Sequence, residues 1–312
     1  MPALPAILLM GPTGAGKTAL AAGLVERLPL EIVSVDSAMV FRGMDIGTAK
    51  PGPELLARAP HHLIDLIDPS ESYSAARFVA DANRVMDEIR ARSRVPILVG
   101  GTMLYFRALQ SGLAKLPPAD AAIRRGIEQR ARQLGWPALH AELQRLDPRA
   151  AGRILPGDQQ RIQRALEVIE LTGRPISAQQ QQDLRGGVRD ADLRLVLAPA
   201  DRAGMGPRLA QRFHCMMSDG LLDEVRRLHR RRDLHAGLPA MRLIGYRQLW
   251  AHLEGAAGLE EAIERAIIAT RQLARRQLTW LRAEPGAEWF DSMAPALINR
   301  LSARIHGWLA AC

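Results

Sequence analysis

The stretch GPTGAGKT, Gly11–Thr18, has residue types and spacing that bind phosphate. Its form is G-x-x-x-x-G-K-T, a loop whose backbone N–H groups and following helix start bind anionic oxygens. We predict that Lys17 reaches terminal phosphate oxygens and that the Thr18 hydroxyl holds Mg²⁺. A short apolar run precedes the loop and a segment with helical spacing follows it, which is the context that this motif requires.

Two more polar stretches follow predicted strands. Asp36 and Ser37 come after the run EIVSV, and Gly100–Thr102 come after VPILV. Because ligands of parallel sheets lie beyond the carboxyl ends of the strands, we expect both stretches to share one site with the loop. For Asp36, three interpretations stay open: a carboxylate that manages metal or water, a general base, or a structural cap of the next turn.

The end of the VPILV strand lacks an acidic residue. Hydrolytic P-loop proteins usually carry a carboxylate there that orders Mg²⁺ and its water. This chain has Gly100, Gly101 and Thr102 instead, and glycines let a bulky group approach the backbone. The sequence therefore predicts that phosphates are bound here and not hydrolysed.

The order of predicted elements indicates the fold class. Strands and helices alternate in the first third, which predicts an α/β fold with a P-loop NTPase-like parallel sheet flanked by helices. Pro117 and Pro118 interrupt this pattern, and the chain then has helical spacing to about residue 185. LRLVLAP, 193–199, is the next strand-like run. We predict a first part of the core at 1–116, an all-helical insertion domain at 117–188, and core completion with a basic helical region at 189–312.

The positive charge is confined to one part of the chain. The sequence has 42 Lys and Arg against 33 Asp and Glu, a net charge of +9. Residues 1–110 contain 11 of each sign, so residues 111–312 contain 31 basic and 22 acidic side chains. This asymmetry favours a polyanionic partner such as nucleic acid, with a solvated arginine-rich surface as the alternative.

Arginines recur at helical spacing in this basic part. Arg161 and Arg164 share one predicted helix face, and Asp158 stands at the N-cap position. The stretches MRLIGYRQLW and ATRQLARRQLTWLR combine arginines with Tyr246, Trp250 and Trp280. That combination suits phosphate contact and base stacking, although a solvated helix face and core aromatics with flanking arginines give the same patterns.

The remaining composition bears on location. Two distant cysteines, Cys215 and Cys312, provide neither a disulfide framework nor a zinc quartet, which favours a reducing compartment. MPALPAILLM has no basic stretch and no cleavage site, so we interpret it as a strand and not as a signal peptide. We expect a cytoplasmic protein without membrane association.

Eight stretches together resemble the bacterial tRNA dimethylallyltransferases over nearly the whole chain. They are GPTGAGKT, VDSAMVFRGMDIGTAKP, HHLIDLIDP, YSAARF, LVGGTMLYFRAL, DQQRIQRALEV, MRLIGYRQ and RRQLTWLR. The resemblance implies transfer of a dimethylallyl group from dimethylallyl diphosphate to N6 of adenosine 37, just 3′ of the anticodon. It also implies a requirement for Mg²⁺ and a preference for tRNAs reading codons that begin with U. The chain departs from the family pattern at Phe41, usually Tyr, and at Leu243, usually Cys.

The resemblance also implies residue roles. The reaction breaks a carbon–oxygen bond, so it needs no carboxylate that positions water. Asp36 would take a proton from N6, and the leaving pyrophosphate would be stabilised by Thr13, Lys17, Arg161 and Arg212. The diphosphate would lie on Gly11, Pro12, Thr13, Gly14, Ala15, Gly16, Lys17 and Thr18, and Mg²⁺ on Thr18 and Ser37.

The partners implied are the tRNA anticodon stem-loop, with its base flipped out, and the prenyl diphosphate, bound by a monomer. The positions that match the family's tRNA contacts are Asp36, Ser37, Ala38, Met39, Thr102, Gln159, Gln160, Arg161, Ile162, Gln163, Arg242, Leu243, Ile244, Gly245, Tyr246, Arg247, Arg275, Arg276, Gln277, Leu278, Thr279, Trp280, Leu281 and Arg282.

Three alternatives compete with this interpretation. A small-molecule P-loop kinase would explain residues 1–110 but not the basic part of the chain. A prenyltransferase acting on free adenine nucleotides would need neither the insertion nor the basic region. A GTPase-like RNA-binding switch would need an N-K-x-D motif, which the sequence lacks.

Overall fold

The computed structural model describes residues 5–114, 116–179, 192–201 and 203–311. The chain forms two compact units, Met1–Arg107 with Val188–Cys312, and Ala108–Gly187. The expected boundary between residues 188 and 189 lies outside the described residues.

The first unit is built on a sheet of six strands, all paired in parallel. They are β1 (Ile7–Met10), β2 (Leu30–Val35), β3 (His61–His62), β4 (Val95–Gly100), β5 (Leu193–Ala198) and β6 (Glu288–Asp291). Their order is β3-β2-β4-β1-β5-β6. This parallel sheet confirms the predicted α/β class, and its first, second, fourth and fifth strands are the predicted ones.

The register brings the ends of three central strands to one level. Gly100 of β4 pairs with Met10 of β1 on one side and with Val35 of β2 on the other. Of these strands, β1 and β4 are continuous apolar runs, as expected where helices cover both faces of a parallel sheet. The segments that follow β1, β2 and β4 therefore begin side by side.

Helices occur in both units of the described chain. The helices are α1 (Lys17–Val25), α2 (Pro53–Arg58), α3 (Ala75–Ala91), α4 (Met103–Ser111), α5 (Ala121–Leu134), α6 (Trp136–Leu146), α7 (Pro148–Ala151), α8 (Gln159–Thr172), α9 (Ile176–Gln179), α10 (Met205–Ser218), α11 (Leu221–His229), α12 (Tyr246–Leu253), α13 (Leu259–Arg282) and α14 (Leu297–Ala311). The Ser74 hydroxyl accepts the N–H of Arg77 at 3.1 Å and so caps the start of α3. Among the described residues, no helix is long and apolar enough to cross a membrane.

The described residues of the second unit contain helices and no strand, as predicted. Its core includes Ile127, Leu139, Leu143, Ile162 and Leu166.

Charged and polar contacts fix this unit further. Asp158 caps α8 by accepting the N–H of Arg161 at 3.3 Å, as its position predicted. Arg164 contacts the buried carboxylate of Glu167 at 2.6 Å, so that arginine stabilises the unit itself.

The first unit has a second apolar cluster besides the sheet core. It contains Phe213 of α10, Leu221 of α11, and Tyr246, Leu249 and Trp250 of α12. Tyr246 and Trp250 are 0% and 3% exposed, so both rings pack in this apolar cluster.

Candidate active site

A cleft of about 880 Å³ opens beyond the carboxyl ends of the central strands in the first unit. The loop after β1, the turn after β2 and the segment after β4 line it together, as the strand ends predicted. Helices α10 and α13 contribute the opposite walls through Arg212, Arg276, Gln277 and Trp280. The cleft therefore combines a phosphate loop with several basic side chains.

Glycines shape the phosphate loop at three positions. Gly14 and Gly16 both have φ of +77°, a left-handed conformation that favours glycine. At Gly11, a Cβ atom would lie 2.2 Å from the Leu197 carbonyl oxygen of β5. The loop thus turns sharply against the sheet and leads directly into α1.

The surroundings of Lys17 disfavour its charged ammonium form. Its Nζ donates to the Pro12 carbonyl at 2.8 Å. Burial lowers the pKa of Lys17 to about 8, Asp36 opposes this shift, and Arg212 adds to it. An anion in the cleft would favour the charged ammonium and raise this pKa again.

Asp36 has one carboxylate oxygen engaged and one available. Its Oδ1 accepts the N–H of Ala38 at 2.8 Å, which fixes the turn after β2. Its Oδ2 accepts no hydrogen bond from the part of the chain that the structure describes. The carboxylate lies close enough to Lys17 and Arg212 to favour their charged forms. The capping interpretation and a chemical role are thus compatible in one side chain.

Arg212 reaches the phosphate loop from α10. Its Nη1 donates to the Thr13 hydroxyl at 3.4 Å, although the two residues are 199 positions apart. Burial lowers the pKa of the Arg212 guanidinium, and Asp36 raises it. The structure therefore brings Thr13, Lys17, Asp36 and Arg212 into one cleft, as expected from the sequence.

Hydroxyl groups link the ends of β2 and β4. The Thr102 hydroxyl accepts the N–H of Ser37 at 3.0 Å and donates to the Ser37 hydroxyl at 3.3 Å. Thr18, Asp36 and Ser37 line the same cleft and offer only oxygen atoms, the ligands that Mg²⁺ prefers. The residues present therefore fit a magnesium ion.

The exposed members of the predicted tRNA stretches separate clearly from the buried ones. In the first unit, the exposed residues are Arg242, Arg247, Arg275, Arg276, Thr279, Trp280 and Arg282. The buried ones are Gly245, Tyr246, Gln277, Leu278 and Leu281. Arg107 stacks over the ring of Trp280, with 5.6 Å between the guanidinium carbon and the ring centroid. The exposed set therefore has side chains available to a partner, whereas the buried set packs inside the protein.

The predicted stretch Gln159–Gln163 belongs to the second unit. Gln159, Gln160 and Arg161 are exposed there, and Arg161 pairs with Asp158 at 3.3 Å. Ile162 is buried, and Gln163 donates to the Glu128 carboxylate at 3.0 Å. The contact of Arg161 with pyrophosphate stays a prediction.

The two departures from the family pattern have different surroundings. Phe41 is buried and forms a parallel β-bridge with Ile67. Leu243 is partly buried and lines the cleft. The substitution at Leu243 therefore alters the cleft surface, whereas that at Phe41 lies in the core.

The sequence does not predict the structural role that two residues, Gln277 and His61, have in the cleft. Gln277 accepts the N–H of Thr13 through Oε1 at 2.9 Å and donates to the Gly101 carbonyl through Nε2 at 2.8 Å. His61 lines the cleft with its Nδ1 2.7 Å from the Ala59 carbonyl, and burial lowers its pKa. A glutamine on an amphipathic helix looks like a surface residue, and a two-residue strand has no pattern of its own.

Comparisons with known proteins identify close relatives. The IPP transferase family model matches residues 39–284. The tRNA dimethylallyltransferase of Bordetella petrii is 57% identical, with 99% of each chain covered, and that of Thioalkalivibrio sulfidiphilus is 60% identical over 91% of this chain and 89% of its own. A crystal structure of the full-length tRNA isopentenylpyrophosphate transferase from Bacillus halodurans is 36% identical, covers 98% of this chain and 97% of its own, and has a TM-score of 0.70.

Proposed function

The chain belongs to the IPP transferase family of bacterial tRNA dimethylallyltransferases and transfers a dimethylallyl group to tRNA, and we propose that the acceptor atom is N6 of adenosine 37. The donor is dimethylallyl diphosphate. The tRNAs modified are those that read codons beginning with U.

The phosphate loop, Gly11–Thr18, binds the diphosphate of the donor. Its N–H groups and the start of α1 face the oxygens, and Lys17 and Arg212 add positive charge. Arg212 also contacts the Thr13 hydroxyl, so the loop and α10 act on the same leaving group. Thr18 and Ser37 would hold Mg²⁺, which would supply further positive charge beside the diphosphate.

Asp36 is the general base in the proposed chemical step. The N6 nitrogen attacks the carbon that carries the diphosphate, the carbon–oxygen bond breaks, and its electrons leave with pyrophosphate. The N6 proton passes to Oδ2 of Asp36, since Oδ1 is engaged by the Ala38 N–H. An aromatic amine is a weak nucleophile, so proton removal during attack avoids a full positive charge on nitrogen.

The exposed residues of the Arg275–Arg282 stretch, at the end of α13, and of the Arg242–Arg247 segment form the proposed tRNA surface. Arg275 and Arg276 are exposed next to Trp280, which combines phosphate contact with a stacking platform. Thr102 lines the cleft and contacts the flipped adenine. The protein acts as a cytoplasmic monomer on the anticodon stem-loop.

The observation that carries the proposal is the composition of the cleft. It holds a phosphate loop, Asp36 and Arg212, yet Gly-Gly-Thr stands at the end of β4, where hydrolytic P-loop proteins usually have a carboxylate. A phosphate loop without a group that positions water suits a reaction in which pyrophosphate departs intact.

Labelled dimethylallyl diphosphate tests this proposal directly. We expect label transfer, with release of pyrophosphate, to tRNA that has adenosine at position 37, and none to the same tRNA with guanosine there. AMP should accept no label, and ATP should not be hydrolysed. Transfer to AMP would favour the free-nucleotide alternative, and rapid ATP hydrolysis without RNA would refute the proposal.

A further inference from the structure

The side-chain amide of Gln277 connects α13 with the segments that follow β1 and β4. Gln277 of α13 is 9% exposed, and both polar atoms of its side chain are hydrogen-bonded to backbone. Its Oε1 accepts from the Thr13 N–H in the phosphate loop, and its Nε2 donates to the Gly101 carbonyl at the end of β4. The bonds measure 2.9 and 2.8 Å and join segments 264 and 176 residues apart.

The local backbone is built around this amide. At Gly101, a Cβ atom would lie 2.5 Å from Nε2 of Gln277, so any other residue would displace the side chain. Gly101 immediately precedes Thr102, whose hydroxyl holds Ser37. Gln277 therefore contacts the phosphate loop at Thr13 and the end of β4 at Gly101. The next residue, Thr102, is hydrogen-bonded to Ser37 in the turn after β2 that also contains Asp36.

The same helix carries exposed cleft residues on either side of Gln277. Arg276 and Trp280 line the cleft, and the ring of Trp280 contacts Arg107. Gln277 thus fixes the loop from the buried side of α13, while Arg276 and Trp280 belong to the proposed tRNA surface.

We infer that Gln277 is a positioning residue for prenyl transfer. Its amide holds the Thr13 N–H and the Gly101 carbonyl at a fixed spacing, so that the diphosphate on the loop stays aligned with the base presented beside Thr102. The inference rests on the proposed function of this cleft. It requires a side chain that accepts at one end and donates at the other, which the neutral amide provides.

Replacement by glutamate gives a test with a pH signature. A protonated carboxylic acid accepts through its carbonyl and donates through its hydroxyl, as the amide does, whereas the ionised form cannot donate to Gly101. We expect Gln277→Met to slow single-turnover transfer by between about fivefold and a hundredfold at every pH, because the Thr13 N–H and the Gly101 carbonyl lose the partner that fixes their spacing. Gln277→Glu should match that loss at pH 8.5 and approach the wild-type rate at pH 6.

Each variant is compared with the wild type at the same pH, which removes the pH dependence of the reaction itself. Gln272→Glu is the matched control, since it places the same group at an exposed position of the same helix. Its transfer rate relative to the wild type should be the same at pH 6 and at pH 8.5. Hydrogen exchange at the Thr13 amide should be slow in the wild type and fast in Gln277→Met. This readout does not depend on activity.

The outcomes separate the inference from the proposed function. If Gln277→Met transfers at the wild-type rate, or if Gln277→Glu fails to exceed Gln277→Met at low pH, Gln277 does not position the site. If the wild-type protein itself modifies no tRNA, the proposed function fails instead.

Discussion

The Tyr246 hydroxyl donates a hydrogen bond to the buried carboxylate of Glu224 across 2.5 Å. The same carboxylate accepts the N–H groups of Asp45, Ile46 and Gly47, three successive residues of the segment after β2. Gly47 also lines the cleft, so this buried network fixes one of its walls. Tyr246 thus makes its hydrogen bond within the protein although it belongs to the predicted tRNA stretch Arg242–Arg247.

Removing the Tyr246 hydroxyl should therefore reduce stability. Hydrogen bonds to charged groups contribute about 1.5–3 kcal/mol, so we expect Tyr246→Phe to lower the free energy of unfolding by about that amount. Thermal denaturation measures the change. Tyr105→Phe is the control, because the Tyr105 hydroxyl makes only a 3.5 Å contact with the neutral Tyr73 carbonyl and should cost less. An unchanged melting temperature together with weaker tRNA binding would place Tyr246 at the RNA instead.

Diphosphate binding should take up a proton at Lys17. The free protein has a Lys17 pKa of about 8, and a bound diphosphate raises it, so affinity should fall as pH rises above about 8. Calorimetry at pH 8.5 in two buffers of different ionisation enthalpy should show uptake of between about a half and one proton per donor bound.

Lys17→Arg provides the control for this measurement. Its guanidinium stays charged throughout this pH range, so whatever binding survives should proceed without proton uptake at this position. Equal proton uptake by the wild type and the arginine variant would assign the proton to another group.

The exposed arginines of α13 should govern tRNA affinity. Arg275→Ala combined with Arg276→Ala should weaken tRNA binding and reduce its salt dependence, because fewer counterions are released. Binding of the prenyl diphosphate should change little. Arg226→Ala with Arg227→Ala, another adjacent exposed pair outside the cleft, should have a smaller effect. Equal losses from both pairs would indicate a diffuse electrostatic attraction and not a defined surface on α13.

The parts of the fold that the sequence predicts are those with a strong local pattern of apolar or glycine residues. The apolar runs of β1, β4 and β5 and the glycine loop identify the parallel sheet and one end of the site. By contrast, β6 has the sequence EWFD, and its acidic first and last residues do not give the pattern of a strand. This segment is a strand because it pairs with β5. Such edge strands depend on their neighbours more than on their own composition.

The site is less predictable where a polar residue is buried by tertiary contacts. Glu224 stands in LLDEVRRLHRRR, which looks like a solvated helix, and it becomes buried only because a distant loop presents three N–H groups. Gln277 is concealed in the same way. Asp36 is identifiable because it follows a strand end, where the topology brings functional groups together.

The central claim is that Asp36 removes the N6 proton during transfer. Asp36→Asn keeps the shape of the side chain and its contact with the Ala38 N–H but loses the base. General-base assistance contributes about 10²–10⁴-fold, so we expect single-turnover transfer with enzyme in excess to slow by that factor while tRNA binding is retained. A single-turnover rate equal to that of the wild type, with tRNA binding intact, would contradict the account.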